Sequence, residues 1–438
     1  MGKSKELPTL ALNGGGMKKK IFFKGPLLTR SGYGEQSRFA LRALRERSDL
    51  FDIYIQPLQW GKTSWITEMD EERSWIDQSI EKTIAYAQQG GTYDASFQVT
   101  IPNEWENHAP VNIGFTAGIE TTKVALPWIQ KGNDMDRIIV VSNHSKSIYE
   151  DTIYVGNDPQ TEEEVRLTLQ TPVDVVNYPV KTFEPMEVEL ELKHPFNLLC
   201  VAQYGPRKNL DNTIKWFIEE FRSEPVGLVI KANIAKNCLA DRRQLFYRLK
   251  HQIAALGEKK CSVYLLHGDM TDQEMHSLYA HEKIAGLISL SHGEGFGLPL
   301  YEAAYSGVPV ITVGWSGQND FLIDQESGSH EFYNVEYDLA PIPEQVVWEG
   351  VLIKESQWAY AREHSARQQM RKFYYDYIHQ SKETLARFAK DAERIRETFS
   401  PQRQNELMVA SLCDALQSPI ETLGAGAFGA DPPLLEFG

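Results

Sequence analysis

Twice along this chain the same rhythm recurs: a short apolar run, a turn of small or polar residues, then a stretch with apolar side chains at helical spacing. In the first half the runs are IFFKGPL (21–27), FDIYIQPL (51–58), YDASFQV (93–99), VNIGFTA (111–117) and DRIIVVS (136–142). In the second they are FNLLCVAQ (196–203), VGLVIKA (226–232), SVYLLHG (262–268), AGLISLS (285–291) and VPVITVG (308–314). Helical stretches lie between them, such as SRFALRALRE (37–46), residues 71–88, NLDNTIKWFIEEF (209–221) and TDQEMHSLYA (271–280). Strands alternating with helices pack as a mostly parallel sheet covered on both faces. The expected fold class is therefore α/β, with two doubly wound Rossmann-like domains facing across a cleft.

The charged, Pro-containing stretch from Lys181 to His194 reads as the linker between them. This divides the chain into a flexible leader (1–20), a first domain (21–190) and a second domain (191–375), followed by helices that brace the first domain (376–420) and a flexible tail (421–438). From Pro341 onward the chain reads as helical.

The net charge of −15 excludes a wholesale basic surface for nucleic acid and disfavours anionic membranes. No apolar run is long enough to span a bilayer, and the N-terminus lacks a signal-peptide core. Cys200, Cys238 and Cys261 lie in or beside apolar runs and read as core residues; with Cys413 they show no metal or redox spacing. A reducing, cytoplasmic setting is expected. No site for a metal is expected: His267 and His292 lack partners at ligand spacing.

The chemistry concentrates in AGLISLSHGEGFGLPLYEAAYSGVPVIT (285–312). A strand feeds a loop with Gly293, Gly295 and Gly297, and Leu298-Pro299 open a helix, where proline suits the first turn. Glycines allow close backbone approach to a ligand, and the free amides of a helix start favour a diphosphate. Glu294 and Glu302 flank this anion site, where a carboxylate is useful only if it grips hydroxyls. Glu294 is read as holding a sugar and Glu302 a ribose.

EGFGLPLYEA (294–303), followed by SGVPVI (306–311), resembles the nucleotide-sugar signature of the family-4 retaining glycosyltransferases, part of glycosyl transferases group 1, which have the GT-B fold. The resemblance reaches VAQYGPRKNLD (201–211), where Lys208-Asn209 matches the family but Ala202-Gln203 stands in place of Gly-Arg. Arg207 is then the candidate second cation. The resemblance implies a donor site of Gly32, Tyr33, Gly34, Arg207, Lys208, Gly295, Phe296, Gly297, Leu298 and Glu302, with Glu294 and Lys208 catalytic. It implies a UDP- or GDP-sugar donor, no required cofactor and front-face transfer with retention. Where relatives place a histidine, this chain has Thr116-Ala117-Gly118. Glu120 or Glu104 could supply the base of an inverting route. His108 and His144 could reach the cleft, and the Glu104-Trp105-Glu106 cluster could form an acceptor edge.

The acceptor stays open among a glycan, a small molecule and a modified DNA base; for the last, Arg30, Arg38, Arg42, Arg45 and Arg47 could supply a basic track. A catalytically inactive scaffold on the same fold is the other alternative. Oligomeric state is not legible.

Overall fold

The computed structural model of the chain describes residues 17–61, 63–157 and 163–417. The expected tail and all but the last residues of the expected leader lie outside that range. The first sheet contains β1 (Lys19–Gly25), β2 (Phe51–Pro57), β3 (Ala95–Val99), β4 (Val111–Thr116) and β5 (Arg137–Val140); after an antiparallel hairpin, β6 (Tyr154–Asn157) with β7 (Glu164–Leu167), it is completed by β8 (Val173–Val175). Its order is β2-β1-β3-β4-β5-β8, parallel throughout. Helices α1 (Gly32–Glu46), α2 (Glu71–Gln88), α3 (Leu126–Asn133) and α4 (Asn143–Asp151) make the crossovers.

The second sheet contains β9 (Asn197–Gln203), β10 (Gly227–Asn233), β11 (Ser262–Leu266), β12 (Ile284–Ser289), β13 (Val310–Val313) and β14 (Tyr333–Val335). They are parallel, in the order β11-β10-β9-β12-β13-β14. Its helices are α5 (Leu210–Glu220), α6 (Leu239–Ala255), α7 (Asp272–Tyr279), α8 (Leu298–Tyr305) and the short α9 (Asn319–Leu322). The strand order reverses between β9 and β12, and in such sheets ligands bind in the crevice outside the strand ends at that point. Residues 176–196 carry no helix or strand and join the two sheets.

Three readings of the sequence need correction. The chain is not helical directly after Pro341: β15 (Tyr337–Pro341) and β16 (Gln357–Ala361) pair antiparallel. Trp358 and Ala359 are buried there, with Trp358 stacked on His292, so tertiary packing overrides local helical preference. Helices resume only with α10 (Glu363–His379), α11 (Ser381–Thr398) and α12 (Pro401–Gln417). β1 already starts at Lys19, within the expected leader, and the Lys19 amide bonds the Leu50 carbonyl at the head of the β1–β2 ladder. Cys238 is exposed at the start of α6, unlike buried Cys200 and Cys261. No helix among the described residues is long and apolar enough to cross a membrane.

The two sheets are tied together by polar contacts as well as by a shared apolar core. α12 lies against α1 and β4, and the Val180 amide bonds the Phe399 carbonyl at 2.9 Å. Asp320 Oδ2 of α9 accepts from the Asn143 amide (2.9 Å) and Nδ2 (3.0 Å) at the start of α4, and from Asn177 Nδ2 (2.9 Å). Removing a buried acceptor strands its donors. Asp320→Ala should therefore lower unfolding stability by about 1–3 kcal/mol in chemical denaturation; an unchanged midpoint would show that these bonds are replaced by water.

Candidate functional site

β12 ends at Ser289 and the chain turns through Ser291–Gly297 before α8 starts. Gly297 caps α8 with φ 94°, a left-handed conformation that glycine adopts without strain. Gly293 and Gly295 have a different reason for being glycine. A Cβ on Gly293 would run into the Glu120 carbonyl, and one on Gly295 into the Ala117 carbonyl. The backbone that approaches this loop closely is thus the first domain's 117–120 segment. Ser142 Oγ also donates to the Gly295 carbonyl at 2.7 Å. From below, Ser316, itself at φ 73°, accepts the Glu294 amide at 2.9 Å, and the Gly317 amide bonds the Glu294 carbonyl.

On the neighbouring strand, β9 leads into a tight turn over Pro206–Lys208, ended by Asn209 at φ 51°. Asparagine tolerates that conformation, and here its Nδ2 bonds the Leu290 carbonyl at 3.1 Å. The turn aims two cations at one carboxylate. Lys208 Nζ lies 2.5 Å from Glu294 Oε1, and Arg207 Nη1 lies 3.0 Å from Oε2. Arg207 also bonds the Gly293 carbonyl at 2.6 Å and sits 3.4 Å from Glu120 Oε1. Burial by itself pushes the Glu294 carboxyl up, but Lys208 and Arg207 more than offset this and hold it at about 2. Burial lowers the Lys208 ammonium despite Glu294 beside it.

Glu302, one turn into α8, has no such cation in contact. Its Oε2 accepts from the Tyr279 hydroxyl at 2.9 Å, and burial raises its pKa to about 7. These groups line one cleft of about 780 Å³ between the two sheets, together with Gly32, Tyr33, Glu120, Gln203, Lys231, Gly295, Phe296, Gly297 and Leu298. Cleft volumes of this order suit small-molecule and cofactor-sized ligands.

Residues 183–338 match the family model of glycosyl transferases group 1. No curated protein matches the sequence. Sucrose-phosphate synthase from Thermosynechococcus elongatus is similar in structure over 91% of this chain and 99% of its own, with TM-score 0.57 at 13% identity. A glycosyltransferase from Rickettsia africae is similar over 92% of this chain and 100% of its own, with TM-score 0.54 at 14% identity.

The fold is GT-B.

The chain spans 55% of the length of S. aureus TarM and 59% of the pneumococcal O-GlcNAc transferase GtfA, both with TM-score 0.44.

Within this GT-B cleft the donor-site residues expected from the sequence are brought together, with qualifications. Gly32, Tyr33 and Gly34 are no loop but the first turn of α1: Ser31 caps it by accepting the Gly34 amide, and a Cβ on Gly34 would strike the Thr29 carbonyl. The Phe296 ring is buried against Tyr178, Tyr301 and Phe321. Gln203, in the place of the expected arginine, donates to the Ile234 carbonyl at 2.9 Å and holds the loop after β10. His108 and His144 do not line the cleft. His108 lies at Lys24 and Glu106, and His144 is buried edge-on to Trp315, its pKa lowered by burial to about 4. Trp105 is fully buried, and Glu104 bonds Thr100, so that cluster forms no acceptor edge.

The arginines of the first domain carry partners: Arg30 with Glu68 and Asp269, Arg42 with Glu72, Arg45 with Glu71, Arg47 with Asp49, and Arg38 with Glu35 and two carbonyls. They form no free basic track. Among the described residues no group of three or more His, Cys, Asp or Glu side chains gathers as for a metal.

Sequence reading missed Asp241 and His267. Asp241 of α6 accepts from the amides of Ile234, Ala235 and Lys236 and pairs with His267 at 2.9 Å. It fixes two loops of the cleft wall; no spacing in the sequence signals it, because the pairing spans β10, α6 and β11.

Glu302 provides a pH test. Its folded pKa is raised, so its stabilising proton is fully present in acid and stability is lost as pH rises through about 7. In thermal melts from about pH 5 to 8, Glu302→Gln should be flatter than the wild type. Parallel pH profiles would place the Glu302 carboxylate in a more polar setting than this one.

Proposed function

We propose that this protein is a retaining glycosyltransferase that moves a sugar from a nucleoside-diphosphate sugar, with a uracil or guanine base, to an acceptor hydroxyl. The observation that carries this reading is the convergence of Lys208 and Arg207 on Glu294 at the foot of the glycine loop, inside the interdomain cleft. Two cations beside a helix start form a metal-independent seat for a diphosphate. The diphosphate takes over the cations that Glu294 now neutralises. Glu294 then accepts hydrogen bonds from the transferred sugar, and Glu302 from the ribose hydroxyls.

In the reaction the acceptor oxygen attacks the anomeric carbon from the face that the diphosphate leaves. The bond from that carbon to the phosphate oxygen breaks, and its electron pair stays with the diphosphate. The leaving oxygen takes the acceptor proton, while Lys208, Arg207 and the amides at residues 295–297 stabilise the developing charge. Retention is favoured by the position of Glu120. It pairs with Arg207, on the leaving-group side, whereas the base of an inverting enzyme belongs on the opposite face.

Donor hydrolysis and transfer, scored by mass spectrometry on a mixed pool of nucleotide sugars, test the reading. UDP or GDP should raise the melting temperature. Lys208→Ala should cost turnover on the order of 10²-fold, and Arg207→Ala less. Glu294→Ala should cut turnover more than nucleotide affinity. A wild-type protein with neither a nucleotide-induced shift nor hydrolysis of any donor would be a scaffold on this fold.

A further inference from the structure

The first-domain wall of the cleft carries an aromatic pair, Tyr33 and Trp60, and the donor reading uses only Tyr33 of the two. Trp60 follows β2, and its ring lies 4.3 Å from that of Tyr33 between centroids, tilted by 45°. Tyr33 is fixed in turn, its hydroxyl sharing a 2.7 Å hydrogen bond with Thr116 Oγ1 at the end of β4. The next residues, Ala117 and Gly118, are those in backbone contact with Gly295. Trp60 thus stands one ring away from the strand end that touches the glycine loop, in the cleft that also holds Glu120, Lys208 and Glu294.

Trp60 is half-buried: it packs against the apolar cluster beneath it and lines the cleft with the rest of its surface. Around it the cleft wall is polar, with Thr63, Ser64 and Asp70. A large flat apolar ring beside hydrogen-bonding groups matches a pyranose, which presents C–H bonds on one face and hydroxyls at its rim. The charges on this wall are spoken for. Arg42 makes bonds of 2.6 and 2.7 Å to Glu72, Arg73 bonds both oxygens of Asp77 at 3.0 Å, and Lys181 bridges Glu35 (2.6 Å) and Asp272 (2.8 Å). A phosphorylated or polyanionic acceptor would have to break these pairs, and a nucleic acid needs free cations along its backbone.

We infer that Trp60, seated on Tyr33, is the acceptor platform, and that the acceptor is an uncharged carbohydrate. This rests on the glycosyltransferase reading. A hydroxyl of the stacked sugar supplies the attacking oxygen, its proton leaves on the diphosphate, and the donor's anomeric carbon exchanges its bond to phosphate for a bond to that oxygen.

Saturation-transfer NMR on the intact chain, with saturating UDP or GDP, tests it using methyl glucosides, galactosides and mannosides and the corresponding disaccharides. The expected result is transfer to ring C–H protons of at least one glycoside, weakened about tenfold or more in Trp60→Ala and partly kept in Trp60→Phe. The melting shift with the nucleotide should be equal in all three proteins. An undiminished glycoside signal in Trp60→Ala overturns the inference. So does the absence of any glycoside signal in the wild type, or retention of a hydroxymethylcytosine oligonucleotide through Trp60. Loss of the nucleotide shift in the wild type itself would count against the donor reading, whatever the glycosides do.

Discussion

Between the 117–120 segment of the first domain and the 293–297 loop of the second there is no room for a side chain. Backbone meets backbone at Ala117, Gly118 and Glu120 against Gly293 and Gly295, so even a methyl group on either loop glycine would collide with a carbonyl. Much of the site follows from this contact. It brings Glu120 to Arg207, places Tyr33 and Trp60 near the glycine loop, and closes one end of the cleft. Asp320 with Asn143 and Asn177, and Ser142 with Gly295, hold the same junction by hydrogen bonds. The closeness of the two walls at this junction is therefore set between domains.

Two glutamates of one motif behave in opposite ways at this junction. Both are buried, and burial raises a carboxyl pKa. Glu294 has Lys208 and Arg207 against its two oxygens and stays ionised, whereas Glu302 has a neutral tyrosine hydroxyl and is pushed to about 7. Eight positions apart in sequence, they differ because one faces the β9 turn and the other faces α7. The cations near Glu294 are neutralised by the protein's own carboxylates. Pairing of this kind keeps buried charges from standing alone.

The linker contributes as well. Lys181, within the segment that joins the two sheets, bridges Glu35 of α1 to Asp272 at the start of α7. The lysine and two carboxylates sit at the side of the cleft next to Glu302, and Glu35 is held at about 2 by Lys181 and Arg38 against its own burial. Glu302, the domain linker and α1 thereby share one electrostatic neighbourhood.

The strand–helix rhythm was legible from the sequence because it depends on local periodicity. The apolar runs and their spacing appear as two parallel sheets, and the Gly-Phe-Gly-Leu-Pro string opens a helix where proline and glycine dictate. Glu294, Glu302 and Lys208 were legible for the same reason: each sits in a short motif. Other features depend on partners far away in the chain. The hairpin from Tyr337 packs through Trp358 on His292, some sixty residues back. Trp105 and Trp60 both follow strands in sequence, yet Gly114 makes room for one in the core while Tyr33 holds the other in the cleft. Asp241 fixes a wall of the cleft through amides five to seven residues back and through His267, just past the end of β11. Alternation, turns and caps are written in local sequence; which carboxylate meets a cation, and which tryptophan lines the cleft, is decided when distant segments pack.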